Sequence, residues 1–443
     1  MRNALVVQRV PTDTLFLPKL AVLHHPKKQI EKAKEFLAAF GQVPPVLATE
    51  GGEILSGEEI WLALKDRGDA LVDVVFVNDK SPEELAAIRI ALQRIPQDSR
   101  WDAENVRLVL HNLASVDFDV TLTGFDASEI DYYLDLDIPK ANVEENGADI
   151  PPIGSVAITT PGMIWKLGDH RIGCGSATDA DFVAHLLDSR TAEICFVDPP
   201  YNIRVDGFIT GKGRHRHREF VQGAGELSAD DYFALLRNSL LVLKRSCSQT
   251  ALIYACIDWR HVMEMTVAGH ACDMPLYTIC VWTKTNGGMG GIYRNAHELI
   301  CVFRAGTETP RDNVELGRHG RNRTNVWSHP GMSSFGKERD ALLGSHPTVK
   351  PVAMIADALR DVTKRGDVVL DTFLGSGSTL MAAHETGRIC YGVELDPQYV
   401  DVAIRRWQNA TGRNAVLVET GETFDSLRQR LLAAPRRPSN APR

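Results

Sequence analysis

The chain has 443 residues, a formal net charge of −8, and hydrophobic and charged shares of 44% and 24%, values of ordinary globular protein in two or more domains. The negative charge argues only weakly against a nucleic-acid partner, because phosphate binding depends on local basic patches; no stretch approaches the roughly twenty apolar residues of a membrane span, and residues 1–20 lack a signal-peptide pattern. The eight cysteines are scattered without a Cys-x-x-Cys pair, so they read as reduced core residues of a cytoplasmic protein and give no metal site.

Residues 1–138 form the first unit. Strands are predicted at Val43–Leu47 and Val72–Val77, and helices at Lys27–Phe40, Ser56–Lys65 and Pro82–Arg94. Ser81-Pro82-Glu83-Glu84 supplies the cap, proline and acidic first turn of the last. An amphipathic stretch, Ala103–Leu113, precedes the segment 117–133, and the order makes a small α/β domain. Lys27-Lys28-Gln29-Ile30, the stretch from Phe40-Gly41 to Pro45-Val46-Leu47, Gly52-Glu53-Ile54-Leu55-Ser56-Gly57 and Leu122-Thr123-Gly124-Phe125 together resemble the ParB/sulfiredoxin-like domain over most of residues 13–133. That family usually follows the turn glycine with a His-x-Arg-type sequence that contacts phosphate. Gly57-Glu58-Glu59-Ile60 instead sets acids where a phosphate would be repelled. A docking or DNA-positioning role is expected, with a purely structural role close behind. Residues 139–160, polar and flanked by proline, read as a linker.

The second domain is expected over residues 161–425. It opens with a hairpin around Gly168-Asp169-His170-Arg171 and a helix over Asp179–Leu187. The apolar run Ile194–Val197 reads as a buried strand, ended by Asp198-Pro199-Pro200-Tyr201. Two prolines cannot donate to a sheet ladder and force a rigid turn, and the carboxyl edge of a strand is where open α/β sheets place ligands. One carboxylate, one proline carbonyl and one aromatic face suit a planar heterocycle with an exocyclic amino group. An ordinary strand-to-loop turn with a capping acid is the plain alternative. Further on, the basic run with Lys212, Arg214, Arg216 and Arg218 is a candidate phosphate contact. Its His215 and His217 lack the companions a metal would need. Helices at Leu227–Leu243 and Trp259–Ala268 and strands at Ala251–Ala255, Tyr277–Lys284 and His297–Phe303 follow. Residues 304–345 are irregular and basic, with Arg318, Arg321 and Arg323 among the arginines expected to read DNA.

Residues 368–380 then read as strand, glycine turn and helix start around Asp371-Thr372-Phe373-Leu374-Gly375-Ser376-Gly377-Ser378-Thr379. Without side chains at Gly375 and Gly377 the backbone can approach a ligand closely at the helix N-terminus. Glu394, ending the next strand just before Asp396, lies at about the spacing of a carboxylate that accepts hydrogen bonds from ribose hydroxyls. Between the two motifs stands His346-Pro347-Thr348-Val349-Lys350-Pro351, opening a helix over Val352–Val362.

Asp-Pro-Pro-Tyr, then His-Pro-Thr-x-Lys-Pro, then Phe-x-Gly-x-Gly, in that order, resembles the amino-group DNA methyltransferases of the β type over about residues 163–410. The resemblance implies an α/β, Rossmann-like methyltransferase fold, a mostly parallel sheet with one antiparallel strand. It also implies S-adenosylmethionine as donor and double-stranded DNA as partner, with the target base flipped into the pocket of Asp198, Pro199, Pro200 and Tyr201. Asp371, Phe373, Gly375, Ser376, Gly377, Ser378, Thr379, Glu394, Asp396, His346, Thr348 and Lys350 are implied at the cofactor, Lys350 meeting a cofactor carboxylate. Ser176 stands where the family commonly has an aspartate, a weaker acceptor. Asp opening the tetrad leans towards adenine N6 as the target, in a site-specific enzyme of the restriction–modification kind. Cytosine N4 stays open, as do a DNA-binding protein with little or no catalysis, methylation of RNA or of a protein amide, and a homodimer. Residues 426–443 are expected to be a disordered tail.

Overall fold

The structure is a computed structural model and describes residues 6–116, 118–134, 150–154, 156–203, 225–284, 293–314, 323–330 and 349–433. The chain divides into two compact units, Met1–Asp137 and Ile138–Arg443. None of the described helices is long and apolar enough to cross a membrane.

The first unit holds β1 (Val7–Pro11), α1 (Lys27–Phe40), β2 (Val46–Ala48), β3 (Ile54–Ser56), α2 (Glu58–Arg67), β4 (Leu71–Phe76), α3 (Pro82–Arg94), α4 (Ala103–Ser115) and α5 (Ala127–Leu134). Its four strands lie in the order β1-β4-β2-β3. Ala33 and Leu37 of α1 and Ile60, Trp61 and Leu64 of α2 close over Val46, Ile54, Val72 and Val74 of that sheet. Leu110, Val120 and Ile130 make a separate core between α4 and α5. The Ser81 capping box opens α3 as its sequence requires. Glu58 departs from expectation: it is buried, and its carboxylate meets His25 Nε2 at 2.7 Å. An acid next to the Gly57 turn can turn inward because a ring nitrogen satisfies it there.

The second unit holds β5 (Ile164–Leu167), β6 (His170–Cys174), α6 (Ala180–Leu187), β7 (Ala192–Val197), α7 (Ala229–Ser246), β8 (Cys247–Ile257), α8 (Val262–Ala271), β9 (Leu276–Thr283), β10 (His297–Arg304), β11 (Val326–Ser328), α9 (Val352–Val362), β12 (Val368–Asp371), α10 (Ser378–Glu385), β13 (Ile389–Glu394), α11 (Pro397–Thr411), β14 (Val416–Leu417) and α12 (Phe424–Ala433). The ten-stranded sheet runs β11-β9-β10-β8-β7-β12-β13-β6-β5-β14. β8, β7, β12, β13 and β6 are parallel, and β10 is antiparallel to β8 and to β9. The central sheet therefore has the single reversed strand expected of it. The β5–β6 hairpin adds another reversed strand towards the far edge.

β7 shows why the sheet is covered on both sides. Ile194 and Phe196 point into a core shared with Ile355, Leu380 and Trp407 of α9, α10 and α11. Cys195 and Val197 point into the opposite core, with Val183, Leu236 and Met265 of α6, α7 and α8. The period of two, with both faces apolar, is that of a parallel strand between helix layers.

Two expectations about boundaries are corrected. Part of the predicted linker is bound to the second unit: Ile150 packs on Val349 and Val402, Ile158 enters the main core, and Asp401 accepts from the backbone N–H groups of Ile158 at 2.7 Å and Thr159 at 3.0 Å. Past residue 425, part of the predicted tail is helix α12, with Leu427 buried. Phe424 at its start meets Trp165 edge-to-face at a centroid distance of 5.3 Å.

Candidate active site

Strand register assembles the site. β7 and β12 are parallel neighbours, with Ile194 opposite Val369 and Cys195 opposite Leu370. Asp371 therefore ends β12 beside the point where Asp198 leaves β7. On the other side of β12, Gly392 lies opposite Asp371, and Glu394 ends β13 opposite Cys174 of β6. The carboxyl edge of four adjacent parallel strands thus carries Asp198, Asp371, Glu394 and, just past β6, Ser176. The helices after β7 and β12 pack on opposite faces of the sheet, which makes the edge between these two strands the usual ligand position in such folds.

At the glycine turn, the Asp371 carboxylate accepts from the Phe373 N–H at 2.9 Å and from the Thr379 hydroxyl. Glu394 accepts from the N–H groups of Gly375 and Asp396, each at 2.8 Å. Gly377 caps α10 in the left-handed region, φ 85°, and a Cβ there would stand 3.0 Å from the Cβ of Ala403. Arg406 of α11, buried behind the turn, reaches the Ser376 carbonyl and the Ser378 hydroxyl at 3.4 Å. Ser376, Ser378 and Thr379 are buried, as is Asp396, which caps α11 by accepting from the Gln398 N–H at 2.9 Å. The Ser176 hydroxyl bonds to Thr178 at 2.9 Å. Burial pushes the Asp371 carboxyl up to about 7, its two hydrogen bonds offsetting only part of the effect. Burial also raises that of Glu394.

At the Asp-Pro-Pro-Tyr turn the network is tighter than the motif suggests. Tyr201 donates its hydroxyl to Asp198 Oδ1 at 2.7 Å, and Lys350 Nζ donates to Asp198 Oδ2 at 2.5 Å. Lys350 also stands 3.1 Å from Glu298 Oε2, and Lys284 closes on Glu298 Oε1 at 2.5 Å. Trp282 lies beneath both ammoniums, its centroid 5.9 Å from Lys350 Nζ and 4.7 Å from Lys284 Nζ. Burial pushes the Asp198 carboxyl up, with Lys350 opposing. Burial would push Glu298 up as well, but two lysines outweigh it and hold its carboxyl at about 2.

Two expected roles change. Lys350, expected to face a cofactor carboxylate, spends its ammonium on Asp198 and Glu298. Arg323, expected at DNA, turns inward: its Nε and Nη1 reach Asp361 and Asp357 of α9 at 3.0 Å each, and its guanidinium stacks on Trp327 at 5.2 Å. His346, Thr348, Lys212, Arg214, Arg216, Arg218, Arg318 and Arg321 lie outside the described residues. Among the described residues no group of three or more His, Cys, Asp or Glu side chains could hold a metal ion. Sequence reasoning missed Glu298, Lys284 and Trp282. The available signal was Glu298 itself, an acid inside an apolar strand, which burial obliges to find a partner.

Residues 192–405 match the family described as DNA methylase, and residues 104–161 match the ParB-methyltransferase HTH domain. The chain is thus similar to the DNA methylase family over residues 192–405 and to the ParB-methyltransferase helix-turn-helix family over residues 104–161. The type II methyltransferase M.HinfI of Haemophilus influenzae is 27% identical over 235 residues, 50% of this chain and 64% of that protein. M.ScaI of Streptomyces caespitosus is 36% identical over 87 residues, 20% of this chain and 29% of that protein. Each match spans less than two thirds of the relative's length. Among solved structures, the PvuII DNA methyltransferase, described as cytosine-N4-specific, aligns over 62% of this chain and 94% of its own at 15% identity and a TM-score of 0.42.

Proposed function

We propose that this chain is a site-specific DNA methyltransferase that transfers the methyl group of S-adenosylmethionine to the exocyclic N6 of a flipped-out adenine in double-stranded DNA. The observation that carries the reading is the alignment of Asp198 with Asp371 and Glu394 at the carboxyl edge of one parallel sheet. An amino-group acceptor and a set of acceptors for a nucleoside cofactor then stand at one sheet edge.

The residues at the glycine turn fit such a cofactor. Asp371, Glu394 and Ser176 offer acceptors for hydroxyl and amino groups, Phe373 offers an aromatic edge, and the buried Thr372 hydroxyl has no partner among the described residues. Glu394 would hold the ribose hydroxyls, and Asp371 with the turn's backbone the amino-acid end. S-adenosylmethionine, when bound, supplies an electrophilic methyl on a sulfonium.

The chain's own residues do the rest. An aromatic amino nitrogen is a weak nucleophile because its lone pair is spread into the ring. Asp198 and the Pro199 carbonyl accept hydrogen bonds from its two N–H groups, which localises and aims that lone pair, and as the nitrogen takes the methyl one N–H proton is given up, with the Asp198 carboxylate as the acceptor at hand. Pro199 and Pro200 keep the carbonyl and carboxylate in fixed relation, and Tyr201 stacks on the base. Orientation and electrostatics supply the rate, without a covalent enzyme intermediate. Adenine is favoured by Asp rather than Ser at the head of the tetrad. The helix-turn-helix segment and the basic runs at 212–218 and 304–345 serve to position DNA. The test is mass spectrometry of nucleosides from unmethylated DNA incubated with the protein and S-adenosylmethionine. N6-methyldeoxyadenosine is expected. N4-methyldeoxycytidine would keep the chemistry and overturn the base, and no methylated nucleoside despite cofactor binding would overturn the reading.

A further inference from the structure

Two groups at the site sit between two carboxylates. Lys350 Nζ is 2.5 Å from Asp198 Oδ2 and 3.1 Å from Glu298 Oε2. The Tyr201 hydroxyl oxygen is 2.7 Å from Asp198 Oδ1 and 3.1 Å from that same Glu298 oxygen, and it has one proton to give. Asp198 therefore has both oxygens engaged in the free protein. An ammonium at this distance also neutralises the charge that makes a carboxylate a strong acceptor for amino hydrogens.

The position of Glu298 follows from topology. β10 runs antiparallel to β8, with Leu299 opposite Ile257, so the first residues of β10 emerge where the parallel strands end. Glu298 lies opposite Trp282 near the end of β9, and Lys284 follows directly. That lysine occupies Glu298 Oε1 and leaves Oε2 to face Lys350 and Tyr201. A carboxylate so placed is a ready second seat for the Lys350 ammonium.

We propose that Glu298 is the second carboxylate of the base pocket, a positioning residue that takes the Lys350 ammonium over from Asp198 when a base amino group arrives; this rests on the methyltransferase reading above. Before the base enters, Lys350 and Tyr201 satisfy Asp198 and keep a buried carboxylate paired. When an amino N–H approaches Asp198, Lys350 shifts fully to Glu298 Oε2, the Tyr201 proton can turn the same way, and both Asp198 oxygens are freed to accept from the base. Lys350 stays paired in both arrangements, so the pocket changes partners without leaving a buried ion alone.

Glu298→Gln keeps the shape and removes the second seat, and Glu298→Asp restores the charge on a shorter arm. With unmethylated DNA and S-adenosylmethionine, kcat of Glu298→Gln is expected to fall about tenfold or more, since it loses a charge-assisted interaction needed only as the base engages. Glu298→Asp should recover part of that loss, and the cofactor KM should stay within about twofold in both. An unchanged kcat in Glu298→Gln, or a loss confined to cofactor KM or to the folded fraction, would overturn the proposal. Competitive acetylation of lysines read by peptide mass spectrometry gives a measure that needs no turnover. Lys350 should stay protected in Asp198→Asn and in Glu298→Gln and become about tenfold or more reactive only when both changes are combined. Lys350 fully unmasked by Asp198→Asn alone would overturn the hand-over. Absence of methyl transfer by the parent protein would sink the methyltransferase reading, while the labelling would still count for or against the hold of Glu298 on Lys350.

Discussion

Asp371 and Glu298 are buried carboxylates near one sheet edge that their surroundings push in opposite directions. Glu298 has two ammoniums and is held at about 2. Asp371 has an N–H and a hydroxyl, with the charges of Asp198 and Glu394 nearby, and burial carries it up to about 7. A carboxyl whose folded pKa is raised favours folding below its ordinary range, and that contribution is lost as pH rises through the folded value. Asp371→Asn should therefore match the parent near pH 4 and gain relative stability up to pH 8, by on the order of 4 kcal/mol at most. Denaturation across that pH range checks it, and a variant uniformly less stable at every pH would contradict it. Asp198, Asp371 and Glu394 were legible in the sequence because each ends an apolar, β-prone run, so strand prediction alone brings them to one edge. Glu298 shows in the sequence only as an acid inside an apolar strand and Lys284 not at all, because their partners appear only once β10 folds back along β8, a pairing that no local pattern encodes.

The glycine turn and its helix work as one element. Gly377 adopts φ 85°, and its added Cβ would meet the Cβ of Ala403 on α11 at 3.0 Å. Gly377→Ala should cost about 1–3 kcal/mol from backbone strain and the forced shift of α11, and it should weaken cofactor binding. Calorimetric titration together with thermal unfolding reads both, and unchanged affinity would separate the turn from the cofactor. At the opposite end of the sheet, Phe424 is buried against Trp165, so Phe424→Ala should cost about 3 kcal/mol or more. A loss under about 1 kcal/mol by chemical denaturation would mean that α12 is not part of the core. Long elements such as α1, α3 and α9 were legible to the residue because periodicity runs their length and a start signal precedes each, Pro26 and Pro351 for α1 and α9 and the Ser81 capping box for α3. The short β11 and β14 carry no such signal and exist only because a neighbouring strand pairs with them. The segment 150–160 was misread for a related reason: a Pro-rich stretch resembles a linker unless Asp401, far along the chain, is seen to hold its backbone.

At the scale of the molecule, a segment that matches a helix-turn-helix family precedes one that matches the DNA methylase family, and the charge is net negative over the whole protein but basic in two runs. If residues 212–218 bind phosphates, replacing Arg214, Arg216 and Arg218 with Ser should weaken DNA binding. It should also flatten the dependence of log affinity on log salt by about 0.9 for each phosphate no longer neutralised. Binding titrations across salt concentrations measure it, and an unchanged slope would remove that run from the interface. Whole-chain charge points away from a DNA partner, whereas motif order points towards the proposed one, because three separated signals must meet at one sheet edge to make sense together. The central claim is that Asp198 activates a base amino group at that edge, and it is most directly tested by single-turnover transfer of a labelled methyl group to DNA by Asp198→Asn beside the parent protein. The expected result is cofactor binding close to that of the parent with transfer slowed about a hundredfold or more. Transfer within about tenfold of the parent at equal cofactor occupancy would contradict the account.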